Sequence, residues 1–163
     1  MLNTIIKTTL SAALLATAMT SFASDLNVSK SVTVNASPDT VWKMIGDFNH
    51  LDVWHPVVVG SVLTHTASSD TRLLTLGNGA TITEKQVSRD DAKRSYTYAI
   101  VMSPLPVTDY VSTISVAPVA DGKSTVTWSS SFDAKDATDD EAISAITGIY
   151  EAGMNNLDKH FNK

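Results

Sequence analysis

The densest group of ionisable and aromatic side chains in the sequence lies between residues 41 and 56, VWKMIGDFNHLDVWHP. His55 is the strongest candidate for chemistry in this segment. An imidazole titrates near neutral pH, so beside a cavity it can donate to a carboxylate or carbonyl, or act as an acid or base. The alternative is a solvated loop histidine whose backbone is set by Pro56. The residues alone leave both interpretations open.

Glu84 is the second candidate, because it stands between Ile82 and Gln86 at a strand parity that points inward. Burial would raise the pKa of its carboxyl group and let it hold an ordered water or a ligand hydroxyl. The alternative is an inward acid at the wet end of the strand, paired with Arg72 or Arg94. We favour a role in a pocket.

A catalytic interpretation joins His55 with Glu84 or Tyr110 as an acid–base pair. The sequence has no cysteine, no G-x-S-x-G elbow, no phosphate loop and no dinucleotide fingerprint. His50 and His55 are five residues apart, a spacing that does not place both on one helix face, and H-E-x-x-H is absent. We therefore expect no metal and no cofactor, and we favour a binding protein over an enzyme.

Aromatic side chains recur at inward strand positions and on the last predicted helix. Each tyrosine or tryptophan offers a flat apolar area with one polar handle, which suits a small hydrophobic or amphipathic ligand. We expect about half of Tyr96, Tyr98, Tyr110 and Trp128 to be simple core residues. The predicted ligand-binding set is Trp54, His55, Glu84, Tyr96, Tyr98, Tyr110, Trp128 and Tyr150.

The elements that must position these residues follow from hydrophobic periodicity. Apolar and polar residues alternate between residues 26 and 34, which predicts a strand, and Ser37 with Pro38 then opens a helix. A second short helix precedes six antiparallel strands, and Thr138 with Glu141 caps a long amphipathic helix. This order predicts an α+β fold, with a curled antiparallel sheet of about seven strands around the C-terminal helix and two short helices after strand one.

The N-terminal residues 1–23 predict a secretory signal peptide. Lys7 precedes an apolar run over residues 10–19, and Ser21, Phe22 and Ala23 supply the cleavage pattern. Residues 24–163 then form a single domain, which we expect in the periplasm. The formal net charge of the chain is −5, which argues against nucleic acid and anionic membrane surfaces as partners.

Several short motifs resemble one known superfamily when their order and spacing are taken together. They are V-x-V-x-A-x-P-x-x-V-W at residues 32–42, D-F-x-x-L-x-x-W-H-P at 47–56, G-x-G-A-x-I-x-E at 77–84, P-L-P-V-x-x-Y at 104–110 and Y-x-x-G-M-x-x-L at 150–157. The chain resembles the START-like or Bet v 1-like (SRPBCC) helix-grip proteins, in particular the bacterial polyketide cyclase/dehydrase branch, which groups with the plant abscisic-acid receptors. The resemblance implies an enclosed ligand cavity.

The resemblance to the plant receptors also implies roles for particular positions. The turn Gly77, Asn78 and Gly79 matches a gate loop, and residues 103–107 match a latch. The receptors' ligand-carboxylate lysine falls on His55, their water-network glutamate on Glu84 and a pocket tyrosine on Tyr110.

Two departures from the receptor pattern matter. A histidine stands in place of the lysine, and Leu105 and Pro106 replace the latch His-Arg pair, so hormone sensing of that kind is not implied. A signal peptide followed by this domain also resembles the small periplasmic accessory proteins of bacterial methanol oxidation. That resemblance implies a periplasmic oxidoreductase as a protein partner.

Overall fold

The computed structural model describes residues 26–163, so the predicted signal peptide, residues 1–23, lies outside the described residues. None of the helices within the described range is long and apolar enough to cross a membrane. In chain order the elements are β1 Leu26–Val34, α1 Pro38–Ile45, α2 Leu51–Trp54, β2 Val58–His65, β3 Asp70–Leu76, β4 Thr81–Asp90, β5 Ser95–Met102, β6 Val107–Pro118, a 3-10 turn Ala120–Gly122, β7 Ser124–Ala134 and α3 Asp139–Phe161.

The seven strands form one antiparallel sheet with the order β1-β7-β6-β5-β4-β3-β2. Strands β2 to β7 are a meander, and β1 joins it beside β7, with pairing from Leu26 opposite Phe132 to Val34 opposite Ser124. The register shifts between Val58 and Gly60, which marks a bulge in β2. The predicted fold class is therefore confirmed, with two short helices after β1 and one long helix at the end.

Side-chain hydrogen bonds connect helix α1 to the end of β4. Ser37 caps it by accepting a hydrogen bond from the Thr40 amide. The Trp42 indole Nε1 donates to Asp91 Oδ1 over 2.9 Å, and Arg89 pairs with the same carboxylate at 2.7 Å. The segment from α1 to α2 is thus held over one end of the sheet.

Helix α3 packs on the inner face of the sheet and begins with the predicted capping box, formed by Thr138 and Glu141. In the middle of β1, Lys30 forms an ion pair with Glu151 of this helix at 2.6 Å, so a charged residue on the inner side of an edge strand gains a partner. The residues that α3 buries are Ala142, Ile146, Tyr150, Gly153, Met154 and Leu157.

Gly153 lets α3 approach the sheet and α2 closely. A Cβ atom at this position would lie 2.9 Å from His55 Cδ2 and 3.1 Å from ring atoms of Trp54 and Trp128. These three rings cannot retreat easily, because all of them are buried. A side chain at residue 153 would therefore push α3 away from α2 and the sheet.

The two helix glycines give a matched test of this contact. Gly148→Ala should stabilise the fold by about 0.5–1 kcal/mol, because alanine is the better helix former and nothing lies within 4 Å of the new Cβ. Gly153→Ala should instead destabilise it by about 1–3 kcal/mol through overpacking. Urea denaturation of both variants checks this, and equal stabilisation by the two alanines would contradict the close approach.

Candidate ligand-binding cavity

A cavity of about 50 Å³ lies between the inner face of the sheet, α2 and α3. Its volume is enough for roughly three to five water-sized groups. Ten of its fifteen lining residues are aliphatic, and the polar contributions come from His55, Glu84, two tyrosines and Trp128. The aliphatic wall consists of Leu51, Val57, Val58, Leu74, Leu76, Ile82, Ile100, Leu105, Ile146 and Ile149.

His55 is buried at the C-terminal end of α2, and backbone groups engage both of its ring nitrogens. Nε2 lies 2.9 Å from the carbonyl oxygen of Ile149 in α3, and the Val57 amide approaches Nδ1 at 3.4 Å. A neutral ring with hydrogen on Nε2 satisfies both contacts, donating at one nitrogen and accepting at the other. Burial lowers the pKa of His55, the Ile149 carbonyl opposes that shift, and the charge of Arg72 adds to it.

Glu84 forms a buried ion pair with Arg72 on the neighbouring strand, where the two residues face each other in the register. Arg72 Nε donates to Glu84 Oε2 over 2.6 Å, and Arg72 Nη1 donates to the carbonyl oxygen of Phe48. The guanidinium carbon lies 4.2 Å from the centre of the Phe48 ring and 5.2 Å from that of Tyr98. One side chain thus joins β3, β4 and the connection between α1 and α2.

The two charges of this pair act on each other within an apolar surrounding. Burial raises the pKa of Glu84, and the Arg72 guanidinium opposes that rise. Burial also works against the charge of Arg72, but the neighbouring Glu84 carboxylate and the rings of Tyr96 and Tyr98 raise its pKa overall, so it stays protonated. Arg72 binds Oε2 of Glu84, and the Glu84 residue also lines the cavity.

A chain of hydroxyl groups connects the tyrosines and Trp128 that line the cavity with Ser112 and Tyr150 behind them. Trp128 Nε1 donates to Tyr98 Oη over 3.0 Å and to Ser112 Oγ over 2.9 Å. Tyr150 Oη lies 2.8 Å from Ser112 Oγ and 2.6 Å from Tyr110 Oη. Burial raises the pKa of Tyr98 and Tyr110 well above the usual value and that of Tyr150 to about 12, so these phenols are neutral donors and acceptors near pH 7.

The structure divides the predicted ligand-binding set into two groups. His55, Glu84, Tyr98, Tyr110 and Trp128 line the cavity. The other three are core residues behind it: Trp54 meets Trp128 edge-on at 5.5 Å between ring centres, Tyr150 stacks on Trp128 at 4.2 Å, and Tyr96 packs against Phe48 at 5.9 Å. Of Tyr96, Tyr98, Tyr110 and Trp128, about half of which were expected to be core, only Tyr96 lies outside the cavity lining.

The predicted gate turn lies at the rim rather than in the wall. The Leu76 amide donates to Ala80 and Gly79 adopts a φ of 85°, so Gly77, Asn78 and Gly79 form the predicted turn. Leu76, which precedes this turn, and Leu105, in the segment predicted to be a latch, line the cavity. Among residues 26–163, no three histidine or acidic side chains come together in a way that could hold a metal ion.

Arg72 and Ser112 are the site residues that sequence reasoning did not select. Arg72 was considered only as a partner of Glu84, and Ser112 not at all. A signal for Arg72 existed, because it shares the inward parity of Leu74 and Leu76 on a strand where a charge is unexpected. Ser112 shares the inward parity of Tyr110 and Ile114, but a serine is common on these strands and indicates no particular role.

The curled sheet, the long helix gripped by it and the enclosed apolar cavity define a helix-grip protein of the START-like class. The chain belongs to the family described as polyketide cyclase / dehydrase and lipid transport, whose model matches residues 25–162. No curated protein matches the chain.

Solved structures agree with this assignment. The protein XoxI from Bacillus cereus is 37% identical, with a TM-score of 0.80 over 84% of this chain and 96% of that chain. An uncharacterized protein from Bacillus thuringiensis is 35% identical, with a TM-score of 0.79 over 85% and 100% of the two chains. The Zhui aromatase/cyclase from Streptomyces sp. R1128 is 18% identical, with a TM-score of 0.68 over 83% and 92%, and shares the fold alone.

The neutral, buried state of His55 predicts a pH-dependent stability. An unfolded histidine has its ordinary pKa near 6.5, and the folded value is lower, so protons bind the unfolded chain preferentially as the pH falls below about 6.5. The contribution of His55 is therefore complete above that pH and is lost as the pH falls toward the folded pKa, with a slope of at most about 1.4 kcal/mol per pH unit. Denaturation of the wild type and of His55→Gln between pH 7.5 and 5 measures it. Parallel pH profiles for the two proteins would contradict a buried neutral ring.

The buried ion pair predicts strong coupling between its two members. Glu84→Leu leaves the Arg72 charge buried without its partner and should cost about 3–5 kcal/mol. The double variant Arg72→Met with Glu84→Leu removes both charges and should recover most of that loss, apart from about 1–3 kcal/mol for the Phe48 carbonyl left unpaired. Chemical denaturation of the three proteins checks this. A double variant that is less stable than Glu84→Leu would contradict the coupling.

Proposed function

We propose that the protein binds a small apolar or amphipathic molecule in the cavity between the sheet and α3. The observation that carries this proposal is the composition of the wall, in which aliphatic side chains surround one carboxylate that Arg72 holds in place. Such a wall excludes water from most of a ligand and offers one fixed acceptor to orient it. Membership of a family described by cyclase, dehydrase and lipid-transport activities supports the same class of ligand.

The wall also sets the polarity of the ligand. No lysine or arginine lines the cavity, and the positive charge of Arg72 is directed at Glu84. A ligand carboxylate would therefore meet a carboxylate and neutral phenols instead of a cation. A hydroxyl, which can donate to Glu84, is the better match, so we infer an uncharged ligand with a hydrogen-bond donor.

Acid–base catalysis is the alternative use of the same cavity, because His55, Glu84 and Tyr110 all line it. Binding is the better supported of the two. Both ring nitrogens of His55 contact backbone groups, and burial keeps the Tyr110 phenol protonated, so neither His55 nor Tyr110 is poised to exchange a proton with a ligand near neutral pH. The third group, Glu84, is already paired with Arg72.

The pattern of residues 1–23 supports export, and we propose that the protein acts in the periplasm after cleavage behind Ala23. A role as an accessory to a periplasmic oxidoreductase, which the resemblance of the sequence implies, is a second candidate. The two functions differ in one consequence. An accessory role that depends on surface contact should survive when the cavity is filled, whereas ligand binding should not.

Two neighbouring valines on β2 provide a matched test. Val58 lines the cavity and is 6% exposed, whereas Val59 points outward and is 63% exposed. Methyl-group NMR titrated with 1-butanol should show saturable shifts at Leu74, Ile82 and Ile146 in the wild type. With five non-hydrogen atoms the ligand can gain at most about 7 kcal/mol, so dissociation constants in the micromolar range or weaker are expected.

Val58→Phe should weaken 1-butanol binding at least tenfold, because the larger ring occupies the space that the ligand needs. Val59→Phe should leave the dissociation constant unchanged. Circular dichroism of both variants verifies that they fold. Shifts that spread over the surface without saturating, or equal binding by the two variants, would refute the cavity as the binding site.

A further inference from the structure

Strands β5 and β6 separate next to the cavity. Their pairing starts at Ser95 opposite Ser115 and ends at Ala99 opposite Val111. Beyond that point, β5 keeps only its other neighbour, with Met102 opposite Thr83 of β4, and β6 keeps only β7, with pairs from Thr108 to Asp133 and from Val107 to Ala134. The sheet is therefore open between residues 100–102 and 107–110.

Local backbone geometry accounts for the separation. A register shift between Thr108 and Val111 marks a bulge in β6, and Asp109 within it has a φ of 52°, a conformation that residues other than glycine rarely adopt. Pro104 and Pro106 stand in the connection between the strands, and a proline cannot donate to a strand ladder. The opening is built into the chain at these residues.

The opening forms a cleft of about 170 Å³ on the outer side of the sheet. Ser103, Thr108, Asp109 and Lys135 contribute its polar lining. Ile100 and Tyr110 line both this cleft and the inner cavity, so these two side chains form the partition between them. The apolar cavity and the polar cleft are thus adjacent compartments of different chemistry.

We propose that the cleft between β5 and β6 binds the polar head of an amphipathic ligand whose apolar end occupies the cavity. This inference rests on the proposed function and specifies its ligand class. The cavity holds only about three to five water-sized groups, so a longer ligand must extend out of it. A ligand that moves the side chains of Ile100 and Tyr110 aside passes from aliphatic walls to hydroxyl groups.

The lining also indicates the kind of head group. One cationic and one anionic residue, Lys135 and Asp109, lie in the cleft together with two hydroxyl side chains. Their formal charges cancel, so a charged head gains little net attraction, whereas hydroxyl, ester or amide groups can both donate and accept. The ligand class is therefore a short aliphatic chain attached to an uncharged polar head, and a hydroxyl group on the chain adds the donor for Glu84 in the cavity.

A paramagnetic probe locates the head group directly. The butanoate ester of a hydroxylated piperidine nitroxide has a neutral head and a four-carbon acyl chain, and the same nitroxide alcohol without the acyl chain reports non-specific encounters. In amide NMR spectra of the ¹⁵N-labelled protein, the ester should broaden the signals of Val101, Thr108 and Lys135 while those of Gly77–Ala80 keep at least most of their intensity. Reduction of the nitroxide with ascorbate should restore the signals.

Two exposed valines supply the variants. Val101 lines the cleft and is 62% exposed, and Val87 on β4 is 56% exposed and lies outside the cleft lining. Val101→Trp should weaken binding of the ester at least fivefold, and Val87→Trp should not change it. Broadening confined to Gly77–Ala80, or equal binding by the two variants, would overturn the cleft as the head-group site.

The outcomes separate this inference from the proposed function. If the ester fails to bind while 1-butanol still shifts the cavity methyl groups, the cleft proposal is wrong and the cavity proposal stands. If neither compound binds, both proposals are wrong.

Discussion

The buried pair of Arg72 and Glu84 is the interaction on which the arrangement of the cavity depends. Two opposite charges with almost no solvent exposure are costly to bury and are tolerated only when each is hydrogen-bonded. Arg72 meets that condition by binding Glu84 and the Phe48 carbonyl, while the rings of Phe48 and Tyr98 lie beside its guanidinium. The pair fixes the segment before α2 on the sheet and leaves a carboxylate oxygen at the edge of an apolar space.

Hydroxyl and aromatic groups form another part of the cavity wall. Trp128 connects them, because its indole donates to Tyr98 and Ser112 and its ring stacks on Tyr150 of α3. His55 adds a second link to α3 through the Ile149 carbonyl, and Gly153 provides the close approach that this link requires. His55, Glu84 and Tyr110, the candidates for chemistry in the sequence, thus all make internal hydrogen bonds that hold them in place.

Much of the fold could be predicted from the sequence because the signals are local. Alternation in the strands, the caps at Ser37 and Thr138 and the turn at Gly77–Gly79 each depend on a few neighbouring residues. The position of that turn also fixes which residues of β3 and β4 face each other, and Arg72 and Glu84 are such a pair because both lie six residues from Asn78. The contact of His55 with Ile149 spans 94 residues, and no local pattern encodes it. The same limit applies to the division of the aromatic residues between wall and core, because this depends on how deeply α3 sits in the sheet.

Native mass spectrometry of the protein isolated from its own source tests the central claim most directly. We expect that the folded protein carries one small uncharged molecule per chain, that denaturation releases it, and that Val58→Phe prepared in the same way carries none. A wild-type protein with the mass of the polypeptide alone, or a molecule that Val58→Phe retains in equal amount, would contradict the claim that the cavity between the sheet and α3 is a ligand-binding site.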